Sequence, residues 1–276
     1  MRFLSGRAVT LSHVFLDDET PMVVPSVSVT VKDASGATVY TGSATSSGTT
    51  WTASLPAQPE GVYTVSWQAG TTATDADRFE VVGGYLFTIP EARGSDMDLA
   101  DGARFPAAEV KHYREVVEEE FETITGRSFT PRVKRLDFLG DGTQSYIAPL
   151  FDITELKSGT GPDGALSLSG WVVSPSGMLQ APFELVEGQA YTLTVSYGFP
   201  FTPDDVKRAG LLRLRSLLTA ERSGIPDRAT AFVAAEGGNF TLATAGRNGY
   251  ETGIPEVDAV LNRYKYRVFN DVFGVR

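Results

Sequence analysis

Two hydrophobic periods share the chain, and the point where one gives way to the other sets most of what it can fold into. Before Gly83-Gly84 the apolar residues alternate with small polar ones. Val27-Ser28-Val29-Thr30-Val31, Trp51-Thr52-Ala53-Ser54-Leu55 and Gly61-Val62-Tyr63-Thr64-Val65-Ser66-Trp67 all repeat every two residues, and Phe79-Glu80-Val81-Val82 closes the series. Period two is the pattern of a strand with one face buried. Short strands of this kind, separated by turns such as Ala34-Ser35-Gly36, predict an antiparallel sandwich over residues 1–83. The Ser- and Thr-rich stretch 41–50 reads as a loop or an exposed strand edge.

After Phe105-Pro106 the period lengthens. Val110, Tyr113, Val117, Phe121 and Ile124 recur at spacings of three and four, which predicts a helix over 105–125, opened by proline and stopped by Gly126. Glu118, Glu119, Glu120 and Glu122 read as its solvated outer face. Residues 84–104 read as a linker, with 85–89 as a lead-in strand. Strand character returns over 127–200, at 133–139, 151–156 and 191–197. A second helix is expected over 203–223, where Thr202 suits the N-cap and Asp204 and Asp205 favour the positive end of the dipole. A glycine-rich loop then covers 227–252, with a short strand at 240–242, and a third helix covers 255–270. The expected fold class is therefore multidomain: an all-β sandwich followed by a mostly helical α+β domain with a β insertion, 105–276.

Charge and composition exclude several classes. The 34 acids against 24 bases leave a net charge of −10, which argues against gripping nucleic acid through a basic surface. Cysteine is absent, so disulfides, thiol catalysis and sulfur-based zinc sites are excluded. Gly159-Thr160-Gly161-Pro162-Asp163-Gly164 matches G-x-G-x-x-G, but strands flank it and Pro162 interrupts it, so it reads as a loop. The acids at Asp96, Asp98 and Asp101 lack the bidentate glutamate of a calcium loop, since Ala107 stands in its place. The glutamates of the first helix point about 100° apart per residue and make a poor glycosidase pair. His112 reads as a surface residue. No nucleophile elbow, zincin or Walker A sequence is present. The expectation is a non-enzyme without cofactor or metal. Residues 1–7 contain no apolar run of signal-peptide length, and no stretch approaches the roughly 18 apolar residues of a membrane span. Synthesis in the cytoplasm and no membrane partner are expected.

The last helix carries two apolar faces. With Tyr264 at 0° and about 100° per residue, Val257, Val260, Leu261 and Val268 lie within about 60° of it, whereas Tyr266, Phe269 and Phe273 lie about 140–200° away. One domain core cannot bury both faces. Arg263, Lys265, Arg267 and Arg276 surround the second face, and aromatics with arginine are the residues enriched at interface anchors. The stretch from Tyr264 onward is therefore expected to insert into another protein.

Two resemblances follow. The alternating segments of residues 1–83 are similar to the immunoglobulin-like domains of bacterial surface and phage structural proteins, here without a disulfide. Residues 85–276 resemble the head-to-tail adaptor (connector) proteins of long-tailed, siphovirus-type bacteriophages. The motifs that carry the likeness are Phe105-Pro106 with its helix, Thr125-Gly126-Arg127-Ser128-Phe129, Tyr197-Gly198-Phe199-Pro200, Asp204-Asp205-Val206-Lys207-Arg208-Ala209, and 252–264. This resemblance implies a homo-oligomeric ring, usually dodecameric, in the virion neck between the portal protein and a stopper or tail protein, with double-stranded DNA passing through. It assigns portal docking to Tyr264, Tyr266, Arg267, Phe269, Phe273 and Arg276. A ring- or tail-facing loop falls to Gly237, Asn239, Phe240, Arg247, Asn248 and Tyr250. An acidic subunit suits such a lumen, because it repels phosphates rather than holding them. The sandwich departs from the compact family core and is expected to project outward. The other reading is a bacterial surface or carbohydrate-binding module.

Overall fold

The computed structural model describes residues 1–71, 73–219, 229–233, 239–242 and 251–265, with 229–233 and 239–242 as backbone alone. They are mostly β-sheet with four α-helices, in two compact units. The first unit comprises Met1–Gly84, Pro131–Pro149 and Ile153–Tyr197; the second comprises Tyr85–Thr130, Leu150–Asp152 and Gly198–Arg276. The β insertion therefore groups with the sandwich, and the mostly helical 105–276 domain expected from sequence is divided between the units.

In the first unit the sandwich is built from β1 (Arg2–Leu4), β2 (Val9–His13), β3 (Leu16–Asp17), β4 (Thr20–Pro21), β5 (Ser28–Asp33), β6 (Thr38–Ser43), β7 (Thr45–Ser47), β8 (Thr50–Leu55), β9 (Gly61–Ala69) and β10 (Ala73–Val82). One sheet has the order β1-β10-β9-β5-β6 and the other β2-β8-β7. The period-two segments are its strands. β9 turns Tyr63, Val65, Trp67 and Ala69 inward, against Val29 and Val31 of β5 and Trp51, Ala53 and Leu55 of β8. Full burial of each large side chain contributes about 1.5–3 kcal/mol. Stretch 41–50 holds the end of β6 and the exposed edge strand β7.

The insertion in the same unit contains β11 (Arg132–Leu139), β12 (Ser145–Ile147), β13 (Ile153–Gly161), β14 (Gly164–Ala165), β15 (Val172–Val173), β16 (Met178–Gln180) and β17 (Ala190–Tyr197). Its sheets run β11-β17-β13-β14 and β12-β16-β15. The G-x-G-x-x-G stretch is the β13–β14 hairpin, with Gly161 opposite Gly164. No helix follows it to receive a pyrophosphate. Arg132 ties the insertion to the sandwich: its Nη1 lies 3.6 Å from Glu80 Oε2, which Arg2 Nε approaches at 3.3 Å.

The second unit holds α1 (Ile89–Ser95), α2 (Ala107–Thr125), α3 (Asp204–Thr219), the hairpin β18 (Ala229–Val233) and β19 (Asn239–Leu242), and α4 (Pro255–Tyr264). The three longer helices pack on one another around Val110, Val117, Phe121, Val206, Leu214, Val257 and Leu261. Gly126 ends α2 in the left-handed region at φ 71° and donates to Glu122 O, as its position in the sequence predicts. The helix expected over 203–223 is described to Thr219 and the one over 255–270 to Tyr264; their remainders lie outside the described residues.

Two expectations fail in this unit. Residues 85–89 form no strand. Thr88 instead caps α1 through a reciprocal capping box with Glu91, and Pro90 occupies the first turn. Nor is 84–104 a linker, because Leu86 and Phe87 are each 1% exposed in the helical core. A Cβ on Gly210 of α3 would lie 2.6 Å from Leu86 Cδ2, so any larger residue there would force the Leu86 side chain to move. Glu118, expected in solvent, is 4% exposed and accepts the Leu86 N–H at 2.9 Å. Its neighbour Arg114, also buried, donates to Phe87 O at 3.3 Å and lies 3.5 Å over the Tyr85 ring. The pair therefore fastens 85–87 onto α2.

Glu91 supports a test by pH. The Lys207 ammonium at 2.8 Å, and then the Thr88 N–H at 2.7 Å, hold its carboxyl down to about 2. A depressed carboxyl stabilises the fold above its unfolded value and loses that contribution as pH falls, here from about 4.5 towards 2. Solvent screens this half-exposed pair, so Glu91→Gln is expected to cost less than about 1 kcal/mol at pH 7 and only a small fraction of that near pH 2. Urea unfolding at the two pH values checks it; a cost independent of pH would sink the account.

Among the described residues, no helix is long and apolar enough to cross a membrane.

Candidate docking site at the end of the last helix

α4 is held at its start by a buried polar clasp. Asp258, 3% exposed, accepts from the Thr252 N–H at 2.8 Å and the Thr252 hydroxyl at 2.9 Å, and that hydroxyl accepts from the Ile254 N–H at 3.2 Å. The carboxylate thus reaches back from the first turn to the residues before the helix and suits the positive end of its dipole. Pro255 opens the helix, and Val257 and Leu261 are its buried stripe, with Val260 half-buried, as the spacing predicts.

The other end is gripped by residues drawn from three distant segments. The Tyr264 ring meets Phe129 edge-on at 5.4 Å and Phe199 at 6.0 Å, and these two stack on each other at 5.6 Å. Its hydroxyl donates to Asp205 Oδ1 at 2.9 Å, and Arg263 donates to Asp205 Oδ2 at 2.8 Å. Burial first, and then the hydrogen bond and charge of Asp205, push the Tyr264 phenol up. The backbone closes the same knot: Phe199 N–H donates to Ser128 O at 3.0 Å, and the Thr202 hydroxyl to Phe129 O at 3.0 Å.

Tyr264, expected to dock on a partner, is half-buried and engaged within its own unit. Of the basic residues expected around the second face, Arg263 pairs with Asp205 and Lys265 with Glu251 at 2.8 Å. Tyr266, Arg267, Phe269, Phe273 and Arg276 lie outside the described residues. So do Gly237, Arg247, Asn248 and Tyr250, whereas Asn239 and Phe240 pair with Val233 and Phe232 across the β18–β19 hairpin.

Several residues of the site are not apparent from periodicity. Thr252 and Asp258 are six apart across a turn and share no helix face. Asp205 reads as a dipole residue, and only the fold brings Tyr264 and Arg263 to it. Asp96, weighed as a calcium ligand, pairs with Arg215 at 2.9 Å. In the sandwich, His13 lies 2.9 Å from Asp75 and 3.0 Å from Asp77 and stacks on Trp67. Among the described residues, no group of three or more His, Asp or Glu side chains is arranged to hold a metal ion.

Residues 11–90, under a third of the chain, match the sequence model of the CopC domain. Comparison with curated proteins gives no match. Among solved structures, a chain in the neck of an empty GTA particle computed with C6 symmetry is similar at 16% identity and a TM-score of 0.41, covering 67% of this chain and 92% of that one. A trypsin-activated alpha-2-macroglobulin from Escherichia coli is similar at 14% identity and a TM-score of 0.26 over 29% of this chain. Salmonella alpha-2-macroglobulin reacted with methylamine is similar at 13% and 0.27 over 71%. The chain spans 6% and 12% of those two macroglobulins.

Proposed function

We propose that this chain is a structural, non-catalytic subunit of a virion neck. Copies of it close into a ring, dodecameric in the family it resembles, between the portal protein of the capsid and the stopper or tail, and double-stranded DNA passes through without specific binding.

One observation carries the reading. The motif segments around Phe129, Phe199, Asp205 and 252–264, scattered through the resemblance to head-to-tail adaptors, converge on the end of α4. They fix the point from which the chain continues into Tyr266, Arg267, Phe269, Phe273 and Arg276. An aromatic and arginine segment issuing from a rigid mount has the composition of an interface anchor. The portal is its partner in this reading. The net charge of −10 supports a lumen that DNA slides through, since few bases are available to hold phosphates. Identical heterologous contacts repeated with a closing rotation generate the ring.

Native mass spectrometry and negative-stain imaging, with and without the portal protein, test the proposal. Rings seated on the portal are the expected result. Failure of the full chain to associate with the portal under any stoichiometry overturns it.

A further inference from the structure

The β insertion leaves an apolar surface uncovered. Phe138 and Tyr146 stack at 3.8 Å and, with Leu185, line a cleft of about 330 Å³. Leu139 and Ile147 line it too, 66% and 76% exposed, and strand register places the exposed Met178 opposite Ile147. An acidic rim borders this surface. Asp141 lines the cleft, and the bonds from Gly142 N–H to Leu185 O at 2.8 Å and from Leu185 N–H to Thr143 O at 2.7 Å hold Glu184 and Glu187 against the same turn. All three carboxylates are exposed, and among the described residues none pairs with a base.

The opposite combination lies in the helical unit. Where α1 ends beside α3 there is a groove of about 380 Å³, lined by the half-buried Leu211 and Leu212 and by Lys207, Arg208 and Arg215. Residues 207–215 carry four bases and no acid, in a chain of net charge −10. Lys207 and Arg215 are held by Glu91 and Asp96, at 2.8 and 2.9 Å. Arg208 is exposed and, among the described residues, has no carboxylate partner. The other acid of the groove, Asp204, stands in the first turn of α3, where the helix dipole favours it.

We propose that these two surfaces are the two sides of one contact between copies of the chain. Leu139 and Ile147 of one copy pack on Leu211 and Leu212 of the next, and Asp141, Glu184 and Glu187 face Arg208. The inference rests on the ring reading above and names the faces that close the ring. A ring requires two unlike patches that fit each other, repeated with a closing rotation. The acidic rim repels its own like on a second copy and attracts the basic groove, so the charges set a head-to-tail direction. The apolar centres supply the affinity, since exposed rim charges act mainly on encounter and specificity.

The absence of cysteine from the chain permits a site-directed cross-link. Two full-length variants, Ile147→Cys and Leu211→Cys (with Leu212→Cys as a second choice for the latter), are mixed and oxidised, with and without the portal protein. A disulfide joining the two different chains is expected at five times or more the yield of dimers from either variant alone. Glu184→Lys with Glu187→Lys in the first chain should lower that yield fivefold or more, and so should Arg208→Glu in the second. Both reversals together should restore at least half of it. These three residues are exposed, so thermal unfolding should not change. A mixed disulfide indifferent to charge reversal overturns the inference. Rings on the portal without the mixed disulfide overturn it too, yet leave the ring reading standing. The mixed disulfide without rings upholds the pairing and removes the ring reading, and the absence of both removes both.

Discussion

Removing residues 266–276 is expected to abolish capture by the portal protein while leaving the thermal unfolding midpoint of the chain unchanged. The two halves of this result have separate causes. Among the described residues, the side chains that fasten α4 precede the cut: Asp258 and Thr252 at its start, Val257 and Leu261 along its stripe, Tyr264 at its end. What is lost is three aromatics and two arginines, and buried anchors of these types each contribute about 2 kcal/mol or more to an interface. Their joint removal amounts to a loss of at least about a thousandfold in affinity, by about 1.4 kcal/mol per factor of ten. Pull-down and native mass spectrometry measure the binding, and calorimetry the fold. A truncated chain that melts early would mean that the aromatics belong to its own core, and the docking assignment would fall. Tyr264→Ala should behave in the opposite way, lowering the unfolding midpoint, because its ring belongs to the second unit.

Glu118→Ala is expected to be the most damaging change to stability among the glutamates of α2. The substitution leaves the Leu86 N–H without its carboxylate and the buried Arg114 guanidinium without its counter-charge. Breaking a buried pair from one side costs about 3–5 kcal/mol, a large part of a typical domain's stability. The adjacent Glu119 is exposed, and its alanine variant should stay within about 0.5 kcal/mol of the parent. Urea denaturation of the two variants side by side decides the matter. Equal, small effects would show that 85–87 is not clasped through Glu118.

The contrast between Glu118 and Glu119 marks where reading the chain linearly stops. Hydrophobic period carried far: the alternation through Tyr63, Val65 and Trp67 named the strand and its inward face, and the Val110–Phe121 spacing named the helix and its buried stripe. Local punctuation carried as well, since Gly126 stops α2 where its backbone turns left-handed. The capping box of Thr88 and Glu91 was equally local, and the apolar run 85–89 masked it with a strand pattern. These features depend on neighbours a few residues away, so they are written in short windows of residues.

What such windows omit is partnership across long separations. Glu118 is a surface glutamate by its sequence surroundings and a buried one because Leu86, 32 residues earlier, presents an N–H that needs an acceptor. Asp205 reads as a helix-dipole residue, and it becomes the acceptor for Tyr264 59 residues later. The assignment of the β insertion to the sandwich unit likewise depends on pairings such as Arg132 with Glu80. A carboxylate's role depends on which donor arrives beside it, and the donor's arrival is a property of the folded chain. Local periodicity therefore settled the longer strands and helices and their apolar stripes but not α1, which the apolar run 85–89 concealed, and long-range packing chose the partners of their charges.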